Sequence, residues 1–345
     1  MTHDLPDWLN ERLVCPRDRL PLMAQEGGLL CPEGHSFSGR DGIPVLLLAD
    51  QESTHPQLEP TGESKEPRTW KASGPRREDS PNRVDEYVQE GVVGTCGNFY
   101  KPLVGNLSRY PIPEVQIVPP DGHGMRFLDI GCNWGRWSVA AARLGYDVVG
   151  VDPFMDALRA ARRVSRHLDV DPNFLAADAR WLPFANDTFD VVFSYSVLQH
   201  FRKPDVRTVL DEISRVLVPG GLSVVEMPTA TGLRNLYVRG KRKLTRQRLA
   251  ASDFHVRYWS LRELIETFTR HVGPTRVEPD SFFFINGQPA DRDLLPPLYR
   301  VAISTSEIFK KATKILPPLT HVADSVYLAS RKGVPGMGDG ARTTR

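Results

Sequence analysis

The 345-residue chain has no run of about 20 apolar residues, the length a membrane-spanning helix requires, so no span and no membrane partner are expected. Its opening, MTHDLPDWLN, is acidic and lacks the basic-then-apolar order of a secretory signal. Cysteine is scarce. Cys15, Cys31, Cys96 and Cys132 are scattered, which argues against a disulfide framework and fits reduced thiols in the cytoplasm. An excess of one charge is also missing: 44 Lys and Arg against 42 Asp and Glu leave +2, so the whole molecule is not an electrostatic nucleic-acid binder and any basic surface is local. No internal repeat is present. What remains is an ordinary globular composition, 40% hydrophobic, with enough apolar material for a full core.

The chain divides by composition. Residues 1–50 form a compact block ending in GIPVLLL, a buried-strand signal. Residues 51–80 are nearly devoid of apolar side chains and dense in both charges, so a disordered linker is expected. Residues 81–120 read as a cap on the domain that follows, residues 121–332 as that domain, and residues 333–345 as a loose tail. From Met125 strands and helices alternate: MRFLDI, DVVGVD, FLAAD, FDVVFSYS and LSVVEM are strands, with amphipathic helical patterns between them. A basic insertion follows, then a helix near 260–270 and strands near 275–285 and 324–331. This alternation predicts an α/β fold, a doubly wound and mostly parallel sheet with helices on both faces.

In such a sheet the ligand sits beyond the carboxyl ends of the strands, where strand order reverses. The loop Gly131-Cys132-Asn133-Trp134-Gly135 stands there. Gly131 admits close backbone approach, and Asn133 tolerates a left-handed turn better than most residues. Asp152, at the end of the second strand, suits the two hydroxyls of a ribose. The glycines are misplaced for the G-x-G-x-x-G dinucleotide fingerprint. A pyrophosphate would also disfavour the Asp129 carboxylate beside the loop, whereas an ammonium group would welcome it. Asp178 and Ala179 close the third strand and place a carboxylate and a backbone N–H at an adenine edge.

The run Phe127–Met227, through LDIGCNWGRW, VVGVD, AADARWLPF, FDVVFSYSVLQH and ISRVLVPGGL, resembles class I S-adenosylmethionine-dependent methyltransferases. The resemblance implies a seven-stranded Rossmann-like sheet in which Asp129 and Gly131 meet the methionine part, Asp152 the ribose, and Asp178 with Ala179 the adenine. It places the turn after strand four, Ser194, Tyr195 and Ser196, at the methyl-donor end. Asn133 replaces the family's usual glycine. Methyl transfer needs alignment of donor and acceptor, and a base when the acceptor is a hydroxyl or a protonated amine. His200 leads as that base, with His255 and Tyr258 of FHVRYW behind it; the plain reading of each is a packed or capping side chain. Trp134, Trp137 and Tyr195 are the aromatic candidates to face the sulfonium.

The front block holds Cys15-x-x-Asp18 and Cys31-x-x-x-His35. It resembles the zinc-ribbon family that activates methyltransferases as a partner subunit, and the amino-terminal ribbon of ribosomal RNA guanine methyltransferases. Asp18 stands where those families carry a cysteine. The expectation is a degenerate ribbon held by its own core, with zinc on Cys15, Asp18, Cys31 and His35 as the alternative. The acceptor is expected to be a small molecule, with an anionic one in view, since neither N-P-P-Y nor a catalytic cysteine stands after strand four. RNA is the runner-up, on the ribbon and on the basic run Arg234–Arg248. A cofactor-binding scaffold without transfer is the third reading.

Overall fold

The computed structural model of the chain describes residues 5–53, 61–64, 84–244, 256–284 and 286–334. A short helix α1 (Asp7–Asn10) precedes four short strands, β1 (Met23–Gln25), β2 (Gly28–Leu30), β3 (Ser36–Arg40) and β4 (Ile43–Pro44), paired antiparallel in sequence order. Helix α2 (Glu86–Cys96) follows, its first turn capped by the Asp85 carboxylate accepting from Tyr87 N–H.

The second sheet holds β5 (Arg126–Ile130), β6 (Asp147–Asp152), β7 (Asn173–Ala176), β8 (Phe189–Ser194), β9 (Leu217–Pro228), β10 (Thr275–Ser281) and β11 (Ser325–Arg331). Their spatial order is β10-β11-β9-β8-β5-β6-β7. All neighbours pair parallel except β11, which runs antiparallel to both β9 and β10. This is the α/β, mostly parallel seven-stranded sheet the alternation predicts. Order reverses between β5 and β8, so the loop after β5 lies at the switch point.

Helices α3 (Arg136–Ala142), α4 (Met155–His167), α5 (Lys203–Val216) and α7 (Leu261–His271) cover the sheet. Their apolar stripes explain their placement: Val206, Val209, Leu210, Ile213 and Val216 of α5 are all fully buried. Two further helices differ from the sequence reading. The basic insertion begins as helix α6 (Leu233–Leu244), not a loop. Its anchor is Asn235, whose buried amide donates to the carbonyls of Thr229 and Asp324, at 2.9 and 2.8 Å. Helix α8 (Pro297–Ala312), unforeseen, starts on a proline that supplies the preset φ of a first turn.

The front block is not a separate bead. Leu46 N–H donates to the Ala176 carbonyl at 2.8 Å and Val45 bridges Ala176 in parallel, so the chain leaving β4 covers the edge of β7. Leu9, Leu13, Leu22, Leu29 and Leu46 share one core with Leu175, Leu182 and Phe184. Part of the expected 51–80 linker is also ordered against the large sheet: the Gly62 carbonyl accepts from Met155 N–H at 3.0 Å, and Glu63 accepts twice from Arg159, at 2.7 and 2.9 Å. A charge-rich segment packs here because Glu63 is met by Arg159 of α4 and Arg40 of β3. Residues 54–60 and 65–80 of that linker and most of the 333–345 tail lie outside the described residues.

Candidate active site

The β5–α3 loop is built on left-handed backbone at three positions: Gly131 (φ 74°), Asn133 (φ 47°) and Gly135 (φ 80°). A Cβ on Gly131 would sit 2.3 Å from a Val197 methyl, so this glycine is required by space as well as by φ. Asn133 stabilises its own strained turn, its side-chain oxygen accepting from Trp134 N–H at 2.9 Å. Asp152 locks the loop: one carboxylate oxygen accepts from Asn133 N–H and the other from Phe154 N–H, each at 2.9 Å. Strand end and glycine loop are thus one hydrogen-bonded unit.

Around this unit lies a cavity of about 390 Å³. One end is walled by Asp152, Phe154, Asp178 and Ala179. The other is walled by Tyr195, Ser196, Val197, His200 and Asn286, with Gly131, Asn133 and Trp134 between. Of the residues expected from sequence, Gly131, Asn133, Trp134, Asp152, Asp178, Ala179, Tyr195 and His200 line it. Gly135 shapes the loop from behind: its φ and the approach of Ala161 and Phe174 make it a packing glycine.

Asp129 and Ser194 do not reach the cavity. Asp129 is fully buried behind the loop, where Ser138 Oγ donates to it at 2.6 Å, and burial pushes its carboxyl up to about 7. Ser194 Oγ donates to the Ile130 carbonyl at 3.1 Å and ties β8 to β5. Tyr258 also stands outside the lining; its neighbour Arg257 donates N–H to the Gln199 carbonyl at 2.9 Å, bracing the turn that carries His200. His255 lies outside the described residues.

The donor-to-acceptor end carries further polar groups. Ser196, in the left-handed region at φ 61°, has its Oγ held by Gln199 Nε2 at 2.7 Å and by Asn286 Nδ2 at 3.1 Å. Asn286 is itself left-handed (φ 68°) and buried, and its side-chain oxygen has no partner among the described residues. Such strain clusters where a site is held open. Tyr195 donates its phenol to Asp280 at 3.0 Å and accepts from Gln288 at 2.8 Å. Beneath it, burial pushes Glu226 and Asp280 up, toward their neutral forms.

Sequence reading missed α2 and Arg136. Tyr87, Gly91, Gly94 and Thr95 of α2 form a wall of the cavity, and the Cβ positions of both glycines face open space. Two glycines three apart in a helix were the available signal. Arg136, buried at the first turn of α3, donates to Asp291 at 3.3 Å and to the Thr95 carbonyl at 3.4 Å, placing a fixed cation in the wall.

In the front block the donor atoms of Cys15, Asp18, Cys31 and His35 all lie within 4.8 Å of one another. His35 Nδ1 is 3.6 Å from Cys15 Sγ and 3.4 Å from Cys31 Sγ, and Cys31 Sγ is 3.2 Å from Asp18 Oδ2. A tetrahedral zinc would hold thiolate and imidazole donors about 3.5 Å apart, so the set fits that ion.

Residues 127–221 match the family model described as a methyltransferase domain. The chain is similar to the ubiquinone biosynthesis O-methyltransferase of Rhizobium johnstonii, 35% identical over 102 residues that make up 30% of this chain and 40% of that protein. It is similar to the Brucella ovis protein of the same name, 35% identical over 108 residues, 31% of this chain and 43% of that one. The match therefore spans about two fifths of the length of these relatives. Among solved structures, Haemonchus contortus phosphoethanolamine N-methyltransferase 2 in complex with phosphomonomethylethanolamine and S-adenosylhomocysteine is 21% identical, with a TM-score of 0.48, over 72% of this chain and 59% of that one.

Proposed function

We propose that the chain is a methyltransferase that transfers the methyl group of S-adenosylmethionine to a hydroxyl of a small molecule. The observation that carries this is the cavity itself: two strand-end carboxylates, Asp152 and Asp178, at one end, a polar acceptor pocket at the other, and the glycine loop between. The matched family over residues 127–221 supports the chemistry, and the relatives named as O-methyltransferases support oxygen as the methylated atom.

Asp152 faces the ribose, and Asp178 with the Ala179 N–H faces the adenine. Arg136 supplies the positive charge for the cofactor's carboxylate. At the acceptor end, the Asn286 side-chain oxygen, without a partner among the described residues, would accept from a second donor group of the acceptor and leave the reacting hydroxyl's proton to His200. Bound there, S-adenosylmethionine would supply an activated methyl carbon, the carbon–sulfur electron pair staying on sulfur, and His200 would take the proton of the reacting hydroxyl. Tyr195 and Asn286, both buried, close this end as suits a small molecule rather than a polymer backbone. A hydroxyl-bearing acceptor accounts for the Asn286 oxygen better than an anionic one does. Tritiated donor incubated with total RNA and with a small-metabolite extract tests the assignment: label in the metabolite fraction is expected, and label confined to RNA contradicts it.

A second proposal concerns the front block. Zinc held by Cys15, Asp18, Cys31 and His35 would act structurally, tying two turns of a block whose own sheet is small. Elemental analysis of purified protein tests it, with about one zinc per chain expected and none contradicting it.

A further inference from the structure

Asp178 does not stand alone at the adenine end. Its Oδ1 accepts from the Arg180 backbone N–H at 2.9 Å and from Arg180 Nε at 3.1 Å, and its Oδ2 accepts from Arg180 Nη2 at 2.8 Å. A carboxylate offers about four lone-pair positions. Three are filled by one residue, which leaves one directed acceptor on Oδ2. Arg180 is buried, and its guanidinium is fixed from two further sides. Nη2 also donates to the Glu52 carbonyl at 2.7 Å, and the guanidinium lies over the Trp181 ring, 4.4 Å from its centroid. Glu52 belongs to the segment leaving the front block, beside the chain that covers the edge of β7. Ten residues on, Gly62 reaches the other side of the same end, its carbonyl on Met155 N–H and its Cα packed so closely that a Cβ would meet the Pro153 carbonyl at 2.4 Å.

We propose that Arg180 is the positioning residue for adenine recognition, and that the segment leaving the front block completes the adenosine end of the cavity by anchoring Arg180 through the Glu52 carbonyl. The inference rests on the methyltransferase reading, because it takes the cavity's ligand to be adenosyl. Its chemical content is narrower. Arg180 saturates Asp178 so that a single acceptor remains, matched to one N–H donor, the adenine amino group. An oxygen in place of that amino group would meet the carboxylate as acceptor against acceptor.

The test is calorimetric titration of the full chain with S-adenosylhomocysteine and with S-inosylhomocysteine, in which an oxygen replaces the amino group. The wild-type chain is expected to favour the adenosyl ligand by about 10-fold or more, the value of one hydrogen bond to a charged group. Arg180→Lys keeps the charge and loses the fork; it is expected to weaken the adenosyl ligand by about 10-fold and to shrink the preference to about 3-fold or less. Arg180→Ala should do the same where it folds, as read from its thermal midpoint. Gly62→Ala should weaken both ligands together, since it acts on the wall rather than on the amino group. Equal weakening of both ligands by Arg180→Lys would reduce Arg180 to a structural residue and overturn the proposal. So would unchanged binding. A wild-type chain that binds neither ligand would instead overturn the methyltransferase reading.

Discussion

At the scale of single residues, the glycine loop concentrates most of the constraint. Gly131→Ala would need a strained φ and would drive a methyl into Val197, so little cofactor binding and a lower thermal midpoint are expected. Asp152 holds the Asn133 and Phe154 amides, and in the proposed function it also faces the ribose. Asp152→Ala is expected to cost about 1–3 kcal/mol of S-adenosylhomocysteine affinity, measured by calorimetry. Asp129 offers a pH test. Its carboxyl rises from 3.8 unfolded to about 7 folded, so the fold prefers it neutral. The stability it contributes is complete below pH 3.8 and is lost as pH rises toward 7. Asp129→Asn keeps a partner for Ser138 and removes the titration. Urea unfolding between pH 4 and 7 should then show a smaller fall in stability for the variant than for the wild type; identical slopes would contradict the assignment.

At the scale of elements, what was legible in the sequence follows from what each element buries. The strands of the large sheet are continuous apolar runs because both faces are covered, and so they stand out. The strand-end acids Asp152 and Asp178 were legible for the same reason, each closing such a run. Asp129 is absent from the cavity lining, and a carboxylate two residues before Gly131 reads identically whether it faces the cavity or sits behind it. Helix α6 was hidden by its charges. Its stability depends on the tertiary anchor of Asn235, which no local periodicity announces. Asn235→Ala removes the side-chain donor from the buried Thr229 carbonyl and leaves the Asp324 carbonyl with the Thr229 N–H alone, and a loss of about 2 kcal/mol in urea unfolding is expected. The contribution of Asn286 was invisible for another reason: it lies beyond the matched run, on a loop after β10 brought back by the sheet order β10-β11-β9.

At the scale of the whole molecule, the front block and the sheet form one body. The chain after β4 covers the edge of β7, the strand that delivers Asp178, and the two share a core. A change in the block should therefore be felt at the cofactor. With zinc held as proposed, Cys31→Ser is expected to lose it and to weaken S-adenosylhomocysteine binding about 3-fold or more, the scale of supporting-shell changes. An unchanged affinity in a zinc-free variant would show the two ends to be independent.

All of these effects presuppose an adenosyl ligand in the cavity between Asp152 and Asp178. A crystal structure of the chain grown with S-adenosylhomocysteine addresses that most directly. The ribose hydroxyls should lie on Asp152, the adenine amino group on Asp178, and the sulfur toward Tyr195 and Ser196. An adenosyl group bound elsewhere, or a cavity left empty at saturating ligand, would contradict the account.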